Sequence, residues 1–245
     1  MMKKDFKEIK AIAFDFGGTL DIPGVHWFDF FWNQFGGQFG GNQIMSREQY
    51  WDAYVFGERQ MEKYGIPRTT SFQDTLTKKL SYQFEYLAKE GYLDENDKNL
   101  ETFISIFTMH GLSRIEESLK KASELIEKLS KVYDVSIVSN YYGNLETILH
   151  DAGIIQNLNR LLDSTLVGIR KPDPAIWKMA LDQSGYKAEE FLIIGDSMKN
   201  DILPAQSIGC PTIWITTKET TENYNGYRVN SLDMLADFFG VELSS

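Results

Sequence analysis

Five short apolar runs, bounded by turn residues and mostly followed by a helical pattern, constrain this chain more than any other feature. They are residues 11–15 (AIAFD), 135–139 (VSIVS), 161–162 (LL), 191–195 (FLIIG) and 212–215 (TIWI). Helical patterns near residues 145–151, 175–184 and 202–208 separate the later runs. Strands this short and apolar, alternating with helices, predict an α/β fold with a parallel sheet covered on both faces. In open sheets of this kind, ligands sit beyond the carboxyl ends of the strands. Four of the expected ends carry polar groups: Asp15, Ser139 with Asn140, Lys171 after a short loop, and Gly195 with Asp196.

Between the first run and the others the alternation stops. Residues 28–35, 46–62 and 71–90 read as helices, the last two opening on Ser46 and Ser71 as N-caps. The domain reading is therefore a core from residues 1–21 and 114–245, with a helical insertion at residues 22–113. A helix near residues 118–129 is expected to return the chain to the core, and a capped terminal helix to follow Asn230. The insertion crowds Trp27, Phe28, Phe30, Phe31, Trp32, Phe35 and Phe39 together, with Tyr50, Trp51, Tyr54 and Phe56 downstream. Either these rings pack the helices against one another, or some face a cleft and contact substrate. Residues 34–41 (QFGGQFGG) carry four glycines and predict a loop between helices.

Charge and cysteine content remove several classes of function. Among 245 residues, 25 Lys and Arg against 35 Asp and Glu give a net charge of −10. Such a chain lacks the basic footprint of a nucleic-acid or anionic-membrane binder. No apolar run approaches the ~20 residues that span a bilayer, and the two N-terminal lysines precede no apolar segment of the kind a signal peptide has. The single cysteine, Cys210, excludes an internal disulfide, fits a reducing cytoplasm, and reads as a small core residue. His110 and His150 show no metal-ligand spacing. The mixed charges of residues 120–131 read as a solvated helix face.

Each polar strand end is weak evidence alone. A carboxylate such as Asp15, held at a strand end before a glycine turn, can attack phosphorus as a nucleophile. Ser139 and Asn140 can hold a phosphoryl oxygen, and Lys171, biased out of the helical region by Pro172, can balance its charge. Asp196 and Asp201 add two more carboxylates, and three converging carboxylates repel one another unless a hard cation joins them. Mg²⁺ prefers such oxygen ligands. Taken in order, residues 15–20 (DFGGTL), Ser139-Asn140, residues 171–174 (KPDP) and residues 195–201 (GDSMKND) resemble the four motifs of the haloacid dehalogenase-like (HAD) hydrolase superfamily. The resemblance covers about residues 9–21 and 114–216, and the insertion is similar in position to the superfamily's α-helical C1 cap.

What the resemblance implies is a Rossmann-like core, a mobile cap and Mg²⁺-dependent phosphoryl transfer through an aspartyl-phosphate. Asp15 would be nucleophile and metal ligand, with the Gly17 carbonyl and Asp196 as further ligands. Gly18, Ser139, Asn140 and Lys171 would hold the phosphoryl group, with Thr19, Ser197, Asn200 and Asp201 supporting them. The substrate class would be a small phosphorylated metabolite, handled by a monomer or homodimer with no nucleic-acid or membrane partner.

One position departs from the pattern. Most phosphatases of this superfamily carry a second aspartate two residues after the nucleophile, where it protonates the leaving group, and here that position is Gly17. Loss of a general acid typically costs about 10²–10⁴-fold. Asp21 and His26 are the nearby candidates to replace it, each with a structural role as the alternative. Gly17 keeps open a catalytically weak binding or regulatory relative. A metal-independent dehalogenase also lacks that aspartate, but its fourth motif lacks the acidic pair found here.

Overall fold

The computed structural model describes residue 6 and residues 8–38, 45–94, 99–218 and 224–244. All five expected strands form: β1 (Ala11–Phe14), β2 (Asp134–Ser139), β3 (Arg160–Asp163), β4 (Phe191–Gly195) and β5 (Thr212–Ile215). A sixth, β6 (Tyr227–Val229), joins the sheet edge; three residues centred on Arg228 gave no apolar run to announce it. The sheet is parallel throughout, in the order β3-β2-β1-β4-β5-β6. Phe14 lies level with Ile137 on one side and Ile194 on the other, so β1, β2 and β4 finish along one edge. This is the Rossmann-like architecture that the strand pattern and the resemblance lead one to expect.

Side chains alternate across the central strand, as a pleated backbone requires. Ile12 and Phe14 enter a core with Ile137, Leu192 and Ile213. Ala11 and Ala13 face the other way and leave room for the fully buried Trp177. Helices cover both faces: α5 (Leu145–Asp151), α6 (Ser164–Val167), α7 (Ala175–Ser184), α8 (Leu203–Ser207) and α9 (Leu232–Phe239) follow the strands in chain order. A π-helical turn, Met198–Ile202, leads into α8. Among the described residues, no helix is long and apolar enough to cross a membrane.

The insertion after β1 holds α1 (Trp27–Gln38), α2 (Arg47–Tyr64), α3 (Phe72–Lys89) and α4 (Leu100–Leu129). Ser46 and Ser71 cap α2 and α3 as their sequences predict, Ser46 through a full capping box with Gln49. Most of the aromatic crowd packs inward: Phe28, Phe31, Phe35, Tyr50, Tyr54, Phe84 and Phe107 form a core of their own. Helix α4 runs unbroken for 30 residues through position 113, joining the expected boundary and return helix into one rod. Phe107 on its first half belongs to the insertion's core, whereas Ala122, Leu125, Ile126 and Leu129 on its second half pack beneath the sheet. The glycine segment differs from expectation, because the helical backbone of α1 continues through Gly36 and Gly37. Helical glycines cost about 1 kcal/mol each relative to alanine; the fully buried Phe31 and Phe35 anchor the same helix. Phe39 and the rest of the glycine segment lie outside the described residues.

Candidate active site

The sheet register sets the first carboxylate. The Asp15 amide donates to Ile194 O at 2.9 Å, so the residue leaves β1 still tied to β4. Its side chain, almost fully buried, accepts from Lys171 Nζ at 2.6 Å. The same ammonium donates to Asp201 Oδ1 at 2.7 Å and Val138 O at 3.3 Å, and sits 5.1 Å from the centre of the Trp177 ring. Lys171 therefore stands between two buried carboxylates from different strand ends. Burial disfavours its charge, but Asp15 and Asp201 outweigh that and hold its pKa above the ordinary lysine value.

The fourth motif folds around its own glycine. Gly195 lies directly against Asp201, so no larger residue fits there. Asp201 Oδ2 accepts from Ser197 N at 3.0 Å, and Ser197 Oγ accepts from Asn200 N at 3.1 Å. The Trp214 indole donates to Asp196 O at 2.7 Å, fixing the backbone of that residue. Carboxylate oxygens of Asp15, Asp196 and Asp201 lie within 4.8 Å of one another. Burial, then repulsion from Asp201 and Asp15, pushes the Asp196 carboxyl well above the usual range. Burial likewise raises Asp201 to about 6, Lys171 opposing it. Three carboxylates answered by one lysine form a donor set that fits a hard divalent cation.

The two glycines of the first turn differ. Gly18 has a φ of +76°, and a Cβ there would meet Asp196 Oδ2 at 2.5 Å. At Gly17 a Cβ would meet nothing within 4 Å. The space that an acid two residues after Asp15 would use is thus open. Thr19 is fully buried in this turn, and among the described residues its hydroxyl has no hydrogen-bond partner.

Ser139 and Asn140 both line the cavity beside Asp15. The Asn140 amide, however, is engaged: it donates to Lys171 O and accepts from Lys171 N, both at 2.9 Å. Its side chain thereby holds the loop that presents Lys171, a role the Ser-Asn sequence alone does not reveal.

Of the two candidate acids, Asp21 is spoken for. Its Oδ1 accepts from the amides of Gly18 and Ile22, both at 2.6 Å, and its Oδ2 from the Trp27 indole at 2.7 Å. Burial nonetheless raises it to about 6. His26 lines the cavity, and its Nδ1 accepts from Phe28 N at 3.2 Å, which puts the neutral ring's proton on Nε2. Burial, then the Lys79 charge, lowers its pKa, so the ring is neutral at pH 7.

A cavity of about 490 Å³ extends from Asp15 to the insertion. Its far wall holds groups that no contiguous motif announced. Lys79 on α3 is buried and forms an ion pair with Glu58 on α2; it also donates to Tyr54 OH at 3.3 Å. Tyr142, just past β2, donates to the other Glu58 oxygen at 2.5 Å. Their only sequence signal is helical spacing: Tyr54 and Glu58, and Thr75 and Lys79, stand four apart on two adjacent helices.

The chain is 28% identical over 224 residues to a phosphoglycolate phosphatase of Vibrio parahaemolyticus, covering 86% of this chain and 85% of that one. It is 30% identical over 127 residues to the mouse haloacid dehalogenase-like hydrolase domain-containing protein 3, and that match spans about half of each protein, 52% and 48%. A solved dehalogenase with an intermediate complex shares the fold, with a TM-score of 0.59, 19% identity and coverage of 94% of this chain and 96% of that one. The family model for haloacid dehalogenase-like hydrolases matches residues 9–209. The chain belongs to the haloacid dehalogenase-like hydrolase family.

Proposed function

We propose that this hydrolase is a Mg²⁺-dependent phosphatase of small phosphomonoesters that works through an aspartyl-phosphate on Asp15. The observation that carries the reading is the convergence of Asp15, Asp196 and Asp201 on one lysine at the strand ends. Asp15 and Asp196, with the Gly17 carbonyl, would hold the metal, whose charge would offset the carboxylates and the phosphoryl oxygens. An Asp15 oxygen attacks phosphorus as the ester oxygen departs with the bonding pair; water then cleaves the acyl phosphate and returns the carboxylate. Lys171 balances charge on Asp15, and Asp201 and Asn140 keep the lysine in place. Catalysis of this kind rests on positioning and electrostatic stabilisation. The insertion at residues 22–113 acts as the cap that covers the cavity.

The proton for the leaving oxygen is the unusual part. Gly17 offers none, and three N–H donors hold Asp21 as a carboxylate that caps the turn. Neutral His26, with its proton on Nε2, is a weak acid. The leaving group therefore departs with little protonation, and aryl or acyl phosphates are cleaved much faster than alkyl phosphates of similar size. A panel of all three, assayed with Mg²⁺ and with EDTA, tests both points. Turnover undiminished by EDTA sinks the metal assignment, and rates independent of the leaving group's pKa sink the proton argument. Absence of turnover on every ester favours the second reading, a binding or regulatory relative, for which Gly17 is the supporting observation.

A further inference from the structure

The aromatic side chains of the insertion divide into two sets. Phe28, Phe31, Phe35 and Tyr50 are buried in its core, whereas Trp51, one residue further on, is 44% exposed. The exposed ring lines both the cavity that reaches Asp15 and a second cavity of about 590 Å³. His26, Asp196 and Ser197 line both as well, so Trp51 stands where the two cavities meet, together with the fourth motif. Tyr54 stacks with it, the ring centres 5.7 Å apart and the planes 18° from parallel, and Phe28 meets it edge to face at 4.9 Å. The neutral His26 ring lies 6.3 Å away. A ring ordered by its neighbours yet open to a cleft can stack on a ligand and bury its remaining surface there.

Size and charge narrow what such a ring would hold. The first cavity, about 490 Å³, falls within the range of roughly 300–1,000 Å³ that encloses drug-sized ligands. A short carbon chain would leave most of it to water. Beyond Asp15, Asp196, Asp201 and Lys171, the charged groups lining it among the described residues are Arg59, Lys79 and Arg170 against Asp21, Glu58 and Glu62. These balance, and Lys79 with Glu58 and Arg170 with Glu62 are paired directly. A wall of this kind has no surplus charge to match one on the leaving group.

We propose that Trp51 selects phosphomonoesters whose leaving group carries an uncharged planar ring. The proposal rests on the phosphatase reading and names the substrate class for that site. The ring acts by stacking, independently of the acidity of the leaving alcohol, so the test uses alcohols of similar acidity. It compares kcat/KM for ethyl, 2-cyclohexylethyl and 2-phenylethyl phosphates, with phosphoglycolate as the charged ester. 2-Phenylethyl phosphate should lead ethyl phosphate by about tenfold, with the saturated ring between them and phosphoglycolate below the planar ring. Where alkyl turnover is too slow to rank, Ki values against p-nitrophenyl phosphate give the same comparison. Trp51→Ala should bring the ratio of 2-phenylethyl to ethyl phosphate toward one, mainly through KM, and Trp51→Phe should keep much of it. A ratio measured within one preparation is not moved by a partly unfolded fraction, so loss of the Tyr54 and Phe28 contacts does not mimic the effect. Equal values for ethyl and 2-phenylethyl phosphates, a saturated ring as good as the planar one, preference for phosphoglycolate, or a ratio unmoved by Trp51→Ala would overturn the proposal while leaving the phosphatase reading intact. Failure to hydrolyse any ester, p-nitrophenyl phosphate included, would overturn both.

Discussion

The core side of the cavity and its helical side hold their charges by different means. On the core side, backbone geometry does the placing: Asp15 is tied to β4 through its amide, Gly195 makes room for Asp201, and Asn140 grips both backbone polar groups of Lys171. On the helical side, Lys79 and Glu58 meet because α2 and α3 pack together, with no special turn at either residue. The first arrangement forces particular residue types at contiguous positions. The second asks only for suitable side chains at helical spacing.

Breaking the core arrangement should have the largest effect. Lys171→Met removes the one cation between Asp15 and Asp201, and kcat should fall about 10³-fold, as for loss of a preorganised electrostatic donor. Steady-state kinetics at saturating Mg²⁺ measures it; a loss under tenfold would mean that the metal alone balances the carboxylates.

The aromatic core of the insertion comes next. Phe35 is fully buried, with its ring 5.4 Å from that of Tyr50 and 6.0 Å from that of Phe107. Phe35→Ala should cost about 3 kcal/mol or more in thermal or denaturant unfolding, with the order of preferred substrates kept. A reordered preference at unchanged stability would assign the ring to substrate contact instead. Trp27, Trp51, Tyr54 and Phe72 are the insertion rings that line the cavity, opposite Tyr141 and Tyr142.

Gly17 sharpens the comparison from the other direction. Its open surroundings accept a side chain that Gly18 cannot, so Gly17→Asp should fold normally. It should raise alkyl-phosphate turnover about tenfold to hundredfold and flatten the dependence on leaving-group pKa. No gain on alkyl esters would show that the proton already comes from elsewhere, and His26→Gln would then be the variant to examine.

Smallest is the pH response of the Glu58 ion pair. Burial would raise the Glu58 pKa, but Lys79 and the hydrogen bonds from Lys79, Tyr142 and Tyr54 bring it below its ordinary 4.5. A carboxylate depressed in the folded state adds stability above its unfolded pKa, and that stability fades as pH falls through the folded value. Glu58→Gln should therefore lower stability at pH 7 by about 1 kcal/mol, with the gap to wild type closing below pH 4.5. A gap independent of pH would trace the loss to packing.

This contrast also explains what could be read from the residues alone. The strands, their parallel sense and the four polar ends were legible because a buried strand needs an unbroken apolar run and each end needs a fixed turn. The capped starts of α2 and α3 were legible for the same local reason. β6 was not, since three residues at a sheet edge carry no period. The continuity of α4 was hidden because its two halves serve different cores, Phe107 one and Leu125 the other. Asn140 matched its motif, yet its grip on the Lys171 loop depends on a contact 31 residues away. Lys79 and Glu58 lie 21 residues apart, and nothing local marks either as a cavity group.

The measurement that bears most directly on the central claim is acid-quenched transfer of phosphate label from an aryl phosphomonoester to the protein in Mg²⁺. The account predicts a label on Asp15 that survives acid, is released by hydroxylamine, and is absent both in Asp15→Asn and in EDTA. Hydrolysis that proceeds in Asp15→Asn, or label found on another residue, would contradict it.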